Sequence, residues 1–148
     1  MATLRDVQTI GRGDSYLAIV STLRADGTIQ SSLVNAGVMK HPLTDNEVVA
    51  FVTYGRAKLS NLRERPQINV AFRSGWQWVA VEGTAEIIGP NHPHPEVDAE
   101  RLRVMLRDVF TSAGGTHDDW DEYDRVMARE GRAAVFVTPT RVYSNAGR

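Results

Sequence analysis

An α+β fold, mainly antiparallel and able to close into a six- or seven-stranded β-barrel with a few flanking helices, is what this chain predicts. Three observations carry it. Five or more β-rich runs follow one another in hairpin order, and the longest helical periodicities come late in the chain. The strands are also so apolar that an open sheet would leave adhesive edges, which closure removes. At 148 residues, one domain spanning 1–148 with a core of useful size is expected.

The elements follow in order. Leu4, Val7 and Ile10 recur at helical spacing behind Thr3, an N-cap residue type, and predict a short first helix. "SYLAIVSTL" (15–23) and "TIQSSLVNAGVM" (28–39) are strands, and Asp26-Gly27 between them is a hairpin signal because the favoured turn needs positive φ. "HPLTDN" (41–46) is a loop and "EVVAFVTY" (47–54) an apolar strand. "AKLSNLRER" (57–65) spaces Leu59 and Leu62 by a helical turn and stops at Pro66. "QINVAF" (67–72) and "WQWVAVEGTAEII" (76–88) are strands joined through "RSG". After a proline-rich loop (89–96), "VDAERLRVMLRDVF" (97–110) aligns Val97, Leu102, Met105, Leu106, Val109 and Phe110 on one helical face. "HDDWDEYDRVMARE" (117–130) is a last helix with acids in its first turn, as the helix dipole favours, and "RAAVFVTP" and "RVYSN" are two closing strands.

Composition excludes several classes. A formal net charge of −1 argues against a protein held to nucleic acid by charge alone. No apolar run approaches the length of a membrane-spanning helix, and "MATLRDVQTIGRGD" lacks the order of a signal peptide. With no cysteine, disulfides and thiolate chemistry are ruled out, and a cytoplasmic location is expected. No G-x-S-x-G, P-loop or G-x-G-x-x-G occurs, which removes the main support for serine hydrolysis, nucleotide hydrolysis and a Rossmann site. Lysine is used twice, at Lys40 and Lys58, out of 17 basic residues, and that arginine excess suggests a GC-rich coding sequence.

Four groups of residues invite a chemical reading. Arg56 and Lys58 fall where a strand gives way to a helical turn, a place suited to phosphate because cations and free N–H groups meet there; they also read as two solvated cations. Asn61 and Arg63, one turn on, fit either version. Trp76 and Trp78, flanking Gln77 on an expected strand, share a face that stacks on a planar ring or packs into core or interface. Gln30 and Ser32, with Thr53 on the next strand, form a short polar row that suits a heterocycle edge or an exposed hairpin face. His41, His92, His94 and His117 read as solvated and functionally silent, because no rigid element fixes a ligand pair, so no metal site is expected. No side chain stands out as a catalytic acid or base.

The run "GRAKLSNLRERPQINVAF" followed by "GWQWVAVEGTAEI" resembles the pyridoxamine 5'-phosphate oxidase-like split β-barrels, a family of dimeric flavin-type proteins. "VSTLRADGTIQSSLV" is similar to that family's opening hairpin, and "DDWDEYDRVMARE…AAVFVTPTRVY" to the C-terminal part of its mycobacterial-type, deazaflavin-binding branch.

The resemblance implies a split barrel that binds coenzyme F420, or alternatively FMN, in a groove between the subunits of a homodimer. It implies that Arg56 and Lys58 hold the cofactor phosphate, with Asn61 in support. Gln30, Ser32 and Thr53 would lie along the ring system, and Trp76 at its far end or across the dimer contact. It implies an F420-dependent reductase that passes a hydride to a small organic substrate with an electrophilic double bond. An FMN protein with oxidase or electron-carrier activity is the near alternative. "TRVYSNAGR" does not match the substrate-phosphate residues of the vitamin B6 oxidases, which argues against pyridoxal phosphate synthesis. The remote alternative is a non-catalytic barrel using Phe72, Trp76 and Trp78 to stack single-stranded nucleic acid.

Overall fold

The computed structural model describes residues 1–145. Helix α1 (Leu4–Arg12) opens on a capping box, in which the Thr3 hydroxyl accepts from the helix and the Asp6 carboxylate accepts the Thr3 amide at 2.8 Å. Strands β1 (Leu17–Leu23) and β2 (Ile29–Lys40) pair antiparallel from Leu17↔Asn35 to Leu23↔Ile29. In the turn between them Gly27 adopts φ +85°, and the Asp26 carboxylate accepts the Thr28 amide at 3.0 Å. Next come β3 (Glu47–Thr53), α2 (Arg56–Glu64), β4 (Gln67–Ser74) and β5 (Gln77–Ile88). They are followed by α3 (Ala99–Ser112), α4 (Trp120–Arg129) and β6 (Ala133–Ser144).

The six strands close into one antiparallel barrel in the order β1-β2-β3-β6-β5-β4, with β4 pairing back to β1. β1 shows the alternation of a wall with one wet face: Ala18, Val20 and Thr22 point inward and are buried, while Leu17 and Ile19 are exposed. Residues Val48–Phe51 of β3 and Ala133–Val137 of β6 are buried without alternation. Both faces of these strands are covered, the inner by the barrel interior and the outer by α3 and α4. The interior core joins Val20, Val49, Phe51, Val70, Phe72, Val81 and Val137, with Val7 and Ile10 of α1 and Leu62 of α2 packed in. A second core outside the wall joins Val48, Ala50, Ile88 and Phe136 to Met105, Leu106 and Val109 of α3 and Tyr123 and Met127 of α4.

The close approach of α3 depends on Gly37, where a Cβ would run into the Ser112 carbonyl.

Four local expectations are corrected. α3 starts at Ala99 because the Asp98 carboxylate caps it by accepting the Arg101 amide at 2.8 Å, which leaves Val97 outside the helix. α4 starts at Trp120 for the same reason: the Asp119 carboxylate accepts the Glu122 amide at 3.1 Å, so His117 and Asp118 precede the helix. The two closing strands are one strand, because Pro139 sits opposite Gly83 at a bulge where a missing N–H is tolerated. Trp76 is not on a strand. Ser74 pairs with Gln77, so Gly75 (φ +61°) and Trp76 are the two turn residues of the β4–β5 hairpin, and Trp76 is 92% exposed.

Candidate functional site

The ladder between β2 and β3 ends at Ala36↔Phe51. Beyond it, Ile29–Asn35 of β2 stay with β1 while Val52 and Thr53 of β3 stay with β6, and the wall splits. A cleft of about 510 Å³ opens there. Leu33, Val34 and Asn35 form one side and Val52, Thr53, Tyr54, Gly55 and Lys58 the other, with Phe110, Tyr123, Met127 and Arg132 reaching it from the helical layer.

Lys58 is the unusual member. Its side chain is only 6% exposed, so it is not the solvated cation that its loop-edge position allowed. Its Nζ donates to Thr53 Oγ1 at 3.2 Å and lies 5.8 Å from the centroid of the Phe51 ring. Among the described residues it has no carboxylate partner. Burial holds its pKa below the ordinary lysine value.

Thr53 Oγ1 accepts both the Lys58 ammonium and the Gly55 amide, each at 3.2 Å. Both hydroxyl lone pairs are thereby used, and its proton is left to donate to a third group. Gly55 is the N-cap of α2 and supplies no side-chain cap, so the first-turn amides add unfilled donors. A buried cation, a hydroxyl with a free proton and a bare helix N-terminus together form a donor set suited to an anion.

The other expected residues fall in different places. Asn61 Nδ2 donates to Thr22 Oγ1 at 3.0 Å, and Thr22 in turn donates to Gln30 Oε1 at 3.3 Å. This chain ties α2 to the barrel wall and engages both Asn61 and Gln30 in the protein itself. Ser32 faces the same way as Gln30, and its Oγ is buried without a partner among the described residues. Arg56 does not join Lys58: two residues apart on a helix, they point to different sides. Arg56 is exposed and lines a second cleft of about 410 Å³ with Tyr54, Ser60, Arg63 and His92. Trp76 lies at the α1 end of the barrel, away from α2, beside Arg73 and Trp78 in a shallow recess. Phe72 is buried in the interior core, so it cannot join the two tryptophans in a stacking surface.

Two histidines depart from the solvated expectation. His41 is buried; its Nδ1 accepts the Leu43 amide at 3.1 Å, which leaves Nε2 to donate to Glu86 Oε1 at 2.8 Å. His92 Nε2 accepts from Arg63 Nε at 3.1 Å, and burial together with the Arg63 charge holds its pKa below the ordinary value.

Residues that sequence reasoning missed complete the cleft. The Arg132 guanidinium lies 4.3 Å from the Tyr54 ring centroid and its Nε donates to Glu130 at 2.7 Å. Tyr123 donates from Oη to the Leu106 carbonyl at 2.9 Å, and burial pushes its phenol up to about 12. Tyr54 directly follows β3 and Arg132 directly precedes β6, and neither carried a signal of its own. Phe110 and Tyr123 fitted a helical core pattern, which hid their second role as cleft wall.

A small antiparallel barrel whose wall splits beside a buried lysine, without a carboxylate partner among the described residues, defines the chain as a split barrel. The family profile of pyridoxamine 5'-phosphate oxidase matches residues 8–145, and the chain belongs to that family. The family includes oxidoreductases. The fold is also that of a conserved hypothetical protein from Mycobacterium tuberculosis (TM-score 0.68, 19% identity, 97% of this chain and 84% of that one). An F420 reductase is similar over 87% of this chain and 90% of its own (TM-score 0.57, 18% identity). A pyridoxamine 5'-phosphate oxidase-related, FMN binding protein from Nostoc punctiforme is similar over 97% and 86% (TM-score 0.63, 11% identity). Among the described residues, no helix is long and apolar enough to cross a membrane.

Proposed function

We propose that this chain is an F420-dependent reductase that binds the deazaflavin in the split between β2 and β3. The observation that carries the reading is Lys58, a buried cation whose one side-chain hydrogen bond among the described residues is to the neutral Thr53 hydroxyl. A buried charge without a counter-ion costs on the order of several kcal/mol, and an incoming phosphate removes that cost. Lys58, Thr53 and the first-turn amides of α2 would hold the phosphate, while Arg56, which lines the neighbouring cleft, would add only the longer-range attraction of its charge. The unpartnered Ser32 hydroxyl fits a polar edge of the ring system, and the apolar walls Val34, Val52 and Met127 exclude water from the reacting face. Asn61 and Gln30 hold α2 in position.

When bound, a reduced deazaflavin supplies the hydride that an electrophilic double bond of a small organic substrate accepts. The chain contributes position and electrostatics, so it needs neither nucleophile nor metal for this step.

A second copy of the chain completes the site in this reading. Leu33 lines the cleft and also belongs to an exposed apolar face: it pairs with exposed Ile19, and Leu17, Trp78 and Tyr143 lie on the same outer surface. A homodimer built on that face roofs the cleft, and Trp76 reaches it only from the partner.

The test is the cofactor itself. The purified chain is expected to be colourless and to bind added F420, and FMN only weakly. A protein that purifies yellow with FMN and ignores F420 makes it an FMN protein instead.

A further inference from the structure

We propose that the chain has a second small-molecule site, for an amphipathic carboxylate, in the cleft between the 89–97 loop, α3 and α4. This cleft measures about 670 Å³, more than the one at Lys58, and lies within the range of about 300–1,000 Å³ typical of ligand pockets. Its wall is apolar: Pro90 and Pro93, Val97, Leu102, Leu106, Met127 and Ala128. α3 packs on β2, β3 and β6, so the cleft stands apart from the exposed Leu17–Ile19–Leu33 face and stays open in a dimer built there.

Charge selects the occupant. The lining carries two acids, Asp98 and Asp124, and both are spent. The Asp98 carboxylate caps α3, and Asp124 is held by Arg103 at 3.0 Å and by Arg107 Nε at 2.9 Å. Of the lining cations, Arg103 is thereby committed to Asp124 and Arg132 to Glu130. Arg125 is exposed and has no acidic partner among the described residues. An apolar trough with one uncommitted guanidinium at its rim matches an apolar body that ends in a carboxylate.

The experiment uses octanoate as the probe, titrated into the full chain and followed by methyl NMR and calorimetry, with octanol as the uncharged control. Octanoate is expected to bind saturably and to shift the methyl signals of Val97, Leu102 and Leu106, which line this cleft and not the one at Lys58, and octanol to bind at least threefold more weakly. Ala128→Trp, a filling change at an exposed helical position, is expected to weaken octanoate at least tenfold, and Arg125→Glu to weaken octanoate but not octanol. Lys58→Ala is expected to leave octanoate binding unchanged. Equal affinity for octanol and octanoate, no response to Ala128→Trp, or loss of binding in Lys58→Ala overturns the proposal.

Discussion

Lys58 Nζ and Thr53 Oγ1 lie 3.2 Å apart at the mouth of the split, and that contact is the ammonium's one hydrogen bond among the described residues. It satisfies one of three ammonium protons and supplies no negative charge. The hydroxyl is already accepting from Gly55, so neither partner is saturated as a donor. A fold that needed only stability would place an apolar side chain here. The pair therefore makes stability and binding pull in opposite directions at one position.

Replacing the buried cation by an apolar side chain of similar length is expected to stabilise the ligand-free protein. Lys58→Met removes the desolvation penalty and keeps the packing against Phe51, so a gain of about 1–4 kcal/mol is expected. The pH dependence follows from the lowered pKa of Lys58. Between that lowered value and the ordinary lysine range the unfolded chain binds more protons than the folded one, so stability rises with pH there. Chemical denaturation of both proteins across this range checks it: the rise should be smaller in Lys58→Met. An equal or lower stability of the variant at neutral pH would show that the lysine is compensated.

Asn61 is expected to matter for stability and not directly for binding. Asn61→Ala breaks the contact to Thr22 and loosens the chain that continues to Gln30, at a cost of about 0.5–1.5 kcal/mol. Cofactor affinity in the folded variant is expected to change less than threefold. Denaturation beside a cofactor titration separates the two roles, and a large loss of affinity at unchanged stability would return Asn61 to the ligand.

Much of the fold was legible because local chemistry and global fold agree. Asp26-Gly27 placed the first hairpin, Pro66 bounded α2, and the unalternating run "VVAF" of β3 belongs to a strand covered on both faces. What stayed hidden depended on contacts between distant parts of the chain. Pro139 read as a strand end, since only pairing with Gly83 reveals the bulge that accommodates it. The site was legible in part: the Arg56–Lys58 seam drew attention, but not the burial of one and the exposure of the other. That difference arises when α2 settles onto the barrel end, held by Asn61–Thr22 and by Arg65, whose Nε reaches the Leu23 carbonyl at 2.9 Å. No local pattern encodes it. The same limit concealed His41, whose ring nitrogens meet Leu43 close by and Glu86 far along the chain.

Charge placed on the outer sheet face is expected to prevent the proposed dimer. Ile19 and Leu33 are cross-strand partners, both exposed, so Ile19→Asp with Leu33→Asp puts two carboxylates at the centre of the proposed contact and leaves the interior core untouched. Sedimentation is expected to show a dimer for the unmodified chain and a folded monomer for the double variant. Cofactor affinity should fall at least tenfold if the second copy roofs the cleft. A stable monomer of the unmodified chain at micromolar concentration removes the proposal.

The phosphate role of Lys58 gives the most direct test. Lys58→Ala removes a charge-assisted hydrogen bond worth about 1.5–3 kcal/mol, which corresponds to roughly ten- to a hundredfold weaker cofactor binding. The loss should appear in affinity and much less in the rate at saturation, because a contact remote from the transferred hydride contributes equally to ground and transition states. Lys58→Arg is expected to recover only part of it. A planar guanidinium is larger than an ammonium and has little room in a site this buried. Arg56→Ala, in the exposed neighbouring cleft, is expected to cost less than Lys58→Ala and to show the stronger salt dependence, since solvent screens it. Titration of all three variants with F420 and with FMN, beside melting curves, reads these effects together. Unchanged affinity for both cofactors in a folded Lys58→Ala protein would take the phosphate away from this lysine, and the assignment of the split as the cofactor site with it.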